Sequence, residues 1–331
     1  MSARLLVDAL RDPACVQEWQ NTAWNSAISA ARAERLLATL AHRLDGVDVP
    51  EQVSRIFADA RLDAERDRRI ALWEADRAMA ALTPLGVKVI VLKGAAYAAA
   101  GLKAGEGRMI GDLDILVPRH RIEVAESALL AAGWEWVKSD PYDDAYYRQW
   151  MHELPPMIHR ERDRMIDVHH TILPLTARQT PDAEALIADA VELSNGLYVL
   201  SPEDRVCHAV AHMLADGDLA GGLRNLWDIK LLIEDVDNWH KLCARATLHG
   251  LSAHLETAHH LAAHIYGDGT RPLRFTERLM RERILSCDGW GRESRKLLSL
   301  GFYIRSHWLR MPPMMLARHL WTKWRKGHRP V

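Results

Sequence analysis

The chain has 331 residues, more than one hydrophobic core usually serves, so two or more domains are expected. Hydrophobic residues make up 48% and charged residues 26%, the balance of a soluble globular protein. The net charge of −1 excludes a global field that would gather nucleic acid or an acidic partner, so no stable nucleic-acid partner is expected.

Four cysteines (Cys15, Cys207, Cys243 and Cys287) stand far apart without paired spacing and read as reduced, mostly buried thiols. The opening MSARLLVDALRDPA has no long apolar stretch before Arg11 and Asp12 and makes a poor signal peptide. Nowhere do about 18 apolar residues run together, as a transmembrane helix would need. A cytoplasmic location is expected.

In chain order, residues 1–83 read as helical. Trp24, Ile28, Ala31, Leu36, Leu37, Leu40 and Leu44 recur at helical spacing. After a break at 48–50, residues 53–82 form one long amphipathic pattern stopped by Pro84 and Gly86. At Val87 the texture changes to a short, β-branched apolar run through Leu92, which predicts a buried strand. An alanine-rich helix is predicted over 95–102, a loop at 105–107, and a second strand over 109–117 ended by Pro118. A helix over 121–132 closed by Gly133 and a third strand over 134–137 follow. Residues 142–149 carry no clear pattern. Residues 157–159 and 165–169 read as a hairpin around 161–164. From Ala183 onward helices dominate. These boundaries predict an α+β fold: an N-terminal helical region (1–84), a small mixed-sheet core (85–175) and a C-terminal helical domain (176–331).

Asp112 and Asp114 interrupt the second strand. Residues i and i+2 of a strand face one side, so these carboxylates point together. Two ionised carboxylates this close repel, and burying them unpaired is costly. A divalent cation removes both problems, and Mg²⁺ is commonly held by one or two carboxylates plus substrate phosphates. By this reasoning Asp114→Asn relieves repulsion, leaves the fold intact and can raise stability. The alternative is that one aspartate caps a turn and the other pairs with Arg108. Asp167 interrupts the later run Met165-Ile166-Asp167-Val168, and a strand lying beside the first would carry it to the same face. There it could complete a second metal site or take a proton from an attacking hydroxyl. Lys93-Gly94 ends the first strand where a helix begins, a turn that lets backbone approach a ligand and favours phosphate. His169 lies two residues from Asp167, on the same face, placed to touch substrate or orient the carboxylate. Arg108 could hold a triphosphate oxygen or form a salt bridge with Glu106 or an aspartate.

The residues LKGAAYA…RMIGDLDILV…AGW…HELPP…IDVHHTILP resemble the DNA-polymerase-β-like nucleotidyltransferase superfamily. Within it they look like the branch known only as uncharacterised nucleotidyltransferases. The resemblance covers Val87 to Pro174 well and extends more weakly to His208, His212, Arg224 and Asp228. It implies metal-dependent transfer of a nucleotidyl group from an NTP, with Mg²⁺ or Mn²⁺ as cofactor. The acceptor, a small molecule, peptide or protein, is left open. By that pattern Asp112, Asp114 and Asp167 are catalytic and ligate metal, with Lys93, Gly94, Arg108 and His169 on the nucleotide side. The chain departs from the superfamily in two places: the usual glycine–serine of the phosphate turn is Gly94-Ala95, so a side-chain hydroxyl is missing, and the gap from that turn to Asp112 is long; either Lys93 supplies the phosphate contact, or the donor differs, or there is none. Two other functions fit the same fold: a non-catalytic nucleotide-binding or scaffold protein, and a phosphotransferase.

Other features have plainer readings. His208-x-x-x-His212 and His260-x-x-x-His264 each put two imidazoles on one helix face, but neither has the Glu of H-E-x-x-H, so zinc is not expected there. Arg224 and Asp228, at i and i+4, read as a helix-surface pair, with walling of the cleft as the alternative. Residues 301–331 hold seven Arg or Lys and no Asp or Glu, with Trp308, Trp321 and Trp324 interleaved. Such a tail can make weak surface contacts with anionic lipid or nucleic acid, although the stripe Leu316, Leu320 and Trp324 is expected to pack on the body.

Overall fold

The alanine and leucine spacing of the first 82 residues folds into α1 (Ser2–Arg11), α2 (Asn21–Ala33), α3 (Leu37–Arg43) and the 32-residue α4 (Glu51–Leu82). This is a computed structural model, and it describes residues 2–137, 140–314, 316–317 and 321. At 1.5 Å per residue α4 runs about 48 Å. Ala64, Ala71, Ala75 and Ala78 are buried along one side of it, small enough to let the helix lie close against its neighbours. Gly86, at φ 68°, turns the chain from this helix into the sheet.

There follow β1 (Ile90–Val91), α5 (Lys93–Ala99), β2 (Asp112–Leu116), α6 (Ile122–Ala131), β3 (Trp134–Trp136), α7 (Pro141–Trp150), β4 (Met157–His159) and β5 (Met165–His169). Next come α8 (Ala183–Ala188), β6 (Val191–Glu192), β7 (Tyr198–Val199) and α9 (Pro202–Val210). The described helices end with α10 (Gly222–Glu234), α11 (Trp239–Leu248), α12 (Ser252–Tyr266), α13 (Phe275–Ile284) and α14 (Lys296–Arg310). The fold is α+β.

Seven strands form one mixed sheet in the order β3-β4-β5-β2-β1-β7-β6. β2 runs parallel to β5 and antiparallel to β1, β4 and β5 form the expected antiparallel hairpin, and β7 runs parallel to β1. The patternless residues 142–149 lie within α7. β6 and β7 are not legible in the sequence, because a two-residue strand is too short to show alternation. They extend the sheet with residues that follow the core's expected end at 175. Buried apolar side chains from all three regions form one continuous core, reaching from Ala3 to Phe302.

Two C-terminal features bear on the site. Ser201 caps α9, its Oγ accepting from the Asp204 amide, and Pro202 takes the first helical position. The helix then widens into a π-helical segment, Ala211–Asp216. Such widenings are rare and concentrate at functional sites. Trp308, on α14, is 47% exposed, and Leu316 is half-buried, while Leu320 and Trp324 of the expected stripe lie outside the described residues.

α9 is pinned by a buried ionic cluster. Asp204 accepts from Ser201 Oγ at 2.9 Å, from Arg245 Nε at 2.8 Å and from His249 Nε2 at 3.0 Å. The Asp182 amide donates to His249 Nδ1, so the other ring nitrogen carries the proton. Burial alone would raise the Asp204 carboxyl, but His249, Arg245 and Ser201 outweigh it and hold it below its usual range. A depressed folded-state value means this stabilisation is complete at neutral pH and is lost only as pH falls through the acid range. Removing one partner of a buried pair typically costs about 3–5 kcal/mol. Asp204→Ala is therefore expected to lose about that much stability at pH 7, with the gap between wild type and variant narrowing on acidification, as measured by urea unfolding.

Candidate active site

β2 and β5 lie in parallel register, with Asp114 opposite Asp167 and Leu116 opposite His169. Registered partners on a ladder project to one face, and i, i+2 residues share that face. The register therefore puts Asp112 and Asp114 from β2 and Asp167 and His169 from β5 on one side of the sheet. Beyond β5 a short bridge pairs Glu153 with His169, held by Leu154 N donating to Val168 O at 2.9 Å and His170 N to His152 O at 2.8 Å. A fourth carboxylate, Glu153, thereby joins this face.

Lys93 reaches the face from the other flank. The Leu92 amide still donates to the Asp114 carbonyl at 2.9 Å, and the next residue, Lys93, sits at φ 49°, a left-handed conformation uncommon outside glycine. This turn ends the strand and opens α5. It delivers the Lys93 ammonium to 2.6 Å from Asp114 Oδ1. His169 Nε2 lies 3.0 Å from the same oxygen and 3.4 Å from Glu153 Oε2.

Asp114 is 2% exposed. Burial pushes its carboxyl up, but Lys93 and His169 outweigh burial and hold it well below the carboxylate range. Burial would likewise depress the Lys93 ammonium, and Asp114 overcomes it, so the lysine stays charged. Asp167 has no such counter-ion. Burial, then Glu153 and Asp114, push its carboxyl up to about 7, and its Oδ1 is buried without a hydrogen-bond partner. Burial also raises Glu153. Asp112 is exposed at the strand's mouth.

This ion pair revises one expectation. Asp114 does not stand against Asp112 as an unscreened repulsive pair, because Lys93 already neutralises it. Asp114→Asn would strand a buried ammonium, so stability is expected to fall rather than rise.

Gly94 and Arg108 work as a unit. A Cβ on Gly94 would sit 2.5 Å from Arg108 Nε, so only glycine lets that arginine pack under the turn. Arg108 donates through Nη1 to the Asp228 carboxylate and stacks 5.5 Å from the Tyr97 ring. Of the roles open to Arg108, the structure thus shows the salt bridge, with an aspartate far away in sequence. Arg224 Nη1 donates to Asp228 at 3.0 Å, and Arg224 also bonds the Arg35 carbonyl and Thr39. Arg224 and Asp228, 6% and 3% exposed, are therefore not a surface pair but a buried junction between α10, the Arg108 loop and the N-terminal helices. The i, i+4 pair holds on α10, but its polar face turns inward, where Arg108 meets Asp228 from another element.

An open cleft of about 390 Å³ faces this assembly, lined among others by Arg35, Lys93, Arg108, Asp112, His212 and Asn225. The N-terminus of α10 borders it, but the Glu34 carboxylate already accepts from the Leu223 amide there. His212 comes from the π-helical segment and stands exposed at the cleft. Burial holds His208 and His152 well below their usual value. His152, Glu153 and His212 escape sequence reasoning as site residues. The only signal for them is the dense run His152-Glu153-Leu154-Pro155-Pro156 just before the hairpin and the i, i+4 pair His208 and His212.

Among the described residues, the group of three metal-ligating side chains that draws within 4.8 Å is His152, Glu153 and His169.

Lys93→Met leaves Asp114 buried without its ammonium, at an expected cost of about 3–5 kcal/mol. A divalent cation can replace the lost charge. Mn²⁺ is therefore expected to raise the melting temperature of Lys93→Met more than that of wild type, as read by thermal denaturation with and without the ion.

Comparison with known proteins gives one family. A family described as "Uncharacterised nucleotidyltransferase" matches residues 20–267. No curated protein matches the chain. Among solved structures, the antibiotic-resistance factor ANT(2'')-Ia, described in solution with substrate-regulated conformational dynamics, is similar at 15% identity with a TM-score of 0.38. That likeness covers 57% of this chain and 96% of the other.

Proposed function

This chain belongs to the uncharacterised nucleotidyltransferase family, and on that premise we propose that it moves an NMP group from an NTP to a hydroxyl-bearing acceptor, using a divalent ion. The carrying observation is the β2–β5 register, which sets Asp114 beside Asp167 on the face that also bears Asp112. The residues suit an oxygen-loving ion such as Mg²⁺ or Mn²⁺. Asp112, Asp114, Glu153 and Asp167 gather on this face against the ammonium of Lys93, and a buried Asp167 oxygen is left without a partner. Asp112, Asp114 and Asp167 would hold the ion. When bound, it supplies positive charge to the transferring phosphoryl group.

The chain's own groups account for the remaining chemistry. Lys93 lines the cleft and would contact donor phosphate oxygens, a contact that Ala95 cannot make through its side chain. Arg35 lines the same cleft and adds a second cation. Gly94 keeps Arg108 seated, and with it the cleft wall. His169 orients Asp114 through its Nε2 hydrogen bond. Asp167, raised toward neutrality, takes the proton of the acceptor hydroxyl. The acceptor oxygen then bonds to the α-phosphorus, and the bond to pyrophosphate breaks with its electron pair on the leaving group.

A second reading has one observation in its favour. Lys93 already neutralises Asp114, so the fold does not need an ion to be stable, as a nucleotide-binding scaffold would require. The products separate the readings. Incubated with NTP, Mn²⁺ and a pool of hydroxyl-bearing acceptors, wild type is expected to release pyrophosphate. Release of NDP would mean phosphotransfer, and no release together with an NTP-dependent rise in melting temperature would mean a scaffold. Asp167→Asn is expected to lower pyrophosphate release by at least the roughly 10²–10⁴-fold worth of a general base and, because Asp167 would also hold the ion, to shrink the Mn²⁺-dependent part of the NTP thermal shift.

A further inference from the structure

Beside the carboxylates lies a cluster of a different chemical kind. His169 Nε2 is 3.4 Å and His152 Nε2 is 3.8 Å from Glu153 Oε2. The ligand atoms of these three residues lie within 4.8 Å of one another. A tetrahedral ion with ligands at about 2.0–2.1 Å keeps them roughly 3.3 Å apart, so small side-chain adjustments close the three onto one centre. The side chains of His169, His152 and Glu153 are 1%, 11% and 17% exposed.

Buried polar atoms are nearly always paired, yet Asp167 Oδ1 beside the cluster has no hydrogen-bond partner, and neither have His152 Nδ1 and His169 Nδ1, the ring nitrogens turned away from Glu153. The two imidazole rings lie 5.1 Å apart, tilted by 36°, rather than hydrogen-bonded to each other. The backbone fixes the arrangement as well, because the Glu153–His169 bridge and the His170–His152 hydrogen bond set the three residues on adjoining strands.

We infer that His152, Glu153 and His169 form a binding site for a transition-metal ion of the Zn²⁺ class, with a fourth position facing Asp114. Imidazole nitrogen favours such ions over Mg²⁺, which prefers an all-oxygen shell. Two imidazoles, one carboxylate and an open position is also the ligand set of many catalytic zinc centres. Asp114 Oδ1 lies 3.0 Å from His169 Nε2, at the edge of this site. The site adjoins the hard-ion position proposed above, since an ion on His169 Nε2 takes the nitrogen that otherwise bonds Asp114, but it stands whether or not the protein transfers nucleotides, because ion binding is measured without NTP.

Cobalt(II) is the probe, because its visible absorption reports nitrogen and oxygen ligation directly. The full chain, stripped of metal by a chelator, is titrated with Co²⁺ in excess Mg²⁺. One Co²⁺ per chain is expected, with a visible band that Zn²⁺ abolishes. His152→Gln and His169→Gln are expected to lose the band, and Asp112→Asn to keep it. Proton NMR of the wild-type Co²⁺ form supplies a readout that needs no variant: two strongly shifted, exchangeable imidazole N–H signals. The inference is overturned if wild type takes up no Co²⁺ in excess Mg²⁺, or if those two signals are absent. It is equally overturned if the band survives in folded His152→Gln but disappears in Asp112→Asn, which would put the ion among the carboxylates.

Discussion

The rest of this site depends on one buried charge. Asp114 is almost fully shielded from water at the heart of the sheet, and an ionised carboxylate there is tolerable only with a counter-charge. Lys93 provides it across 2.6 Å, and His169 adds a hydrogen bond to the same oxygen. Several local oddities follow from that requirement. Lys93 adopts a left-handed backbone conformation where the strand turns into α5, and this brings its ammonium over β2. β5 lies beside β2 in a register that brings His169 within reach. The pairing also leaves Asp167 and Glu153 nearby with no cation of their own, and both are pushed toward the neutral form. The arrangement is thus balanced for Asp114 and unbalanced for its neighbours, which is the electrostatic condition that invites a divalent ion.

A second set of buried charges holds the frame around the first. Asp228 on α10 receives Arg108 from the loop before β2 and Arg224 from its own helix, and Arg224 continues to Thr39 and the Arg35 carbonyl. N-terminal helices, sheet and C-terminal helices meet at this junction. Breaking such a network strands several charges at once, so the cleft wall is stiff at this point. Gly94 belongs to the same design, because its missing side chain is the space Arg108 occupies. The glycine of the turn thereby serves packing as directly as it could serve a phosphate.

Much of the core was legible in one dimension. Apolar runs marked β2 and β5, Pro118 and Gly133 bounded the helix between β2 and β3, and helical spacing marked α4 and α10. The aspartates stood out because carboxylates inside apolar strands are expensive. Other features were illegible for identifiable reasons. β6 and β7 are too short to carry a pattern. The π-helical widening that presents His212 looks, in sequence, like the continuation of an ordinary helix. His152 and Glu153 join the site through an isolated bridge that Pro155 and Pro156 separate from β4, and no periodicity announces that.

What the sequence determined by itself is the set of charges that must be solved: Asp112 and Asp114 on one strand face, Asp167 inside another strand, and a lysine where the first strand ends. Alternation along a strand is a local property, so it can be read from neighbours in the chain. Only the tertiary structure decided how those charges are solved. Whether Asp114 meets a lysine or stands against Asp112, whether Arg108 is free for a ligand or held by Asp228, and whether Glu153 and His152 join His169 all depend on contacts between residues far apart in sequence. Those contacts are chosen by strand register and helix packing, which the whole core sets together.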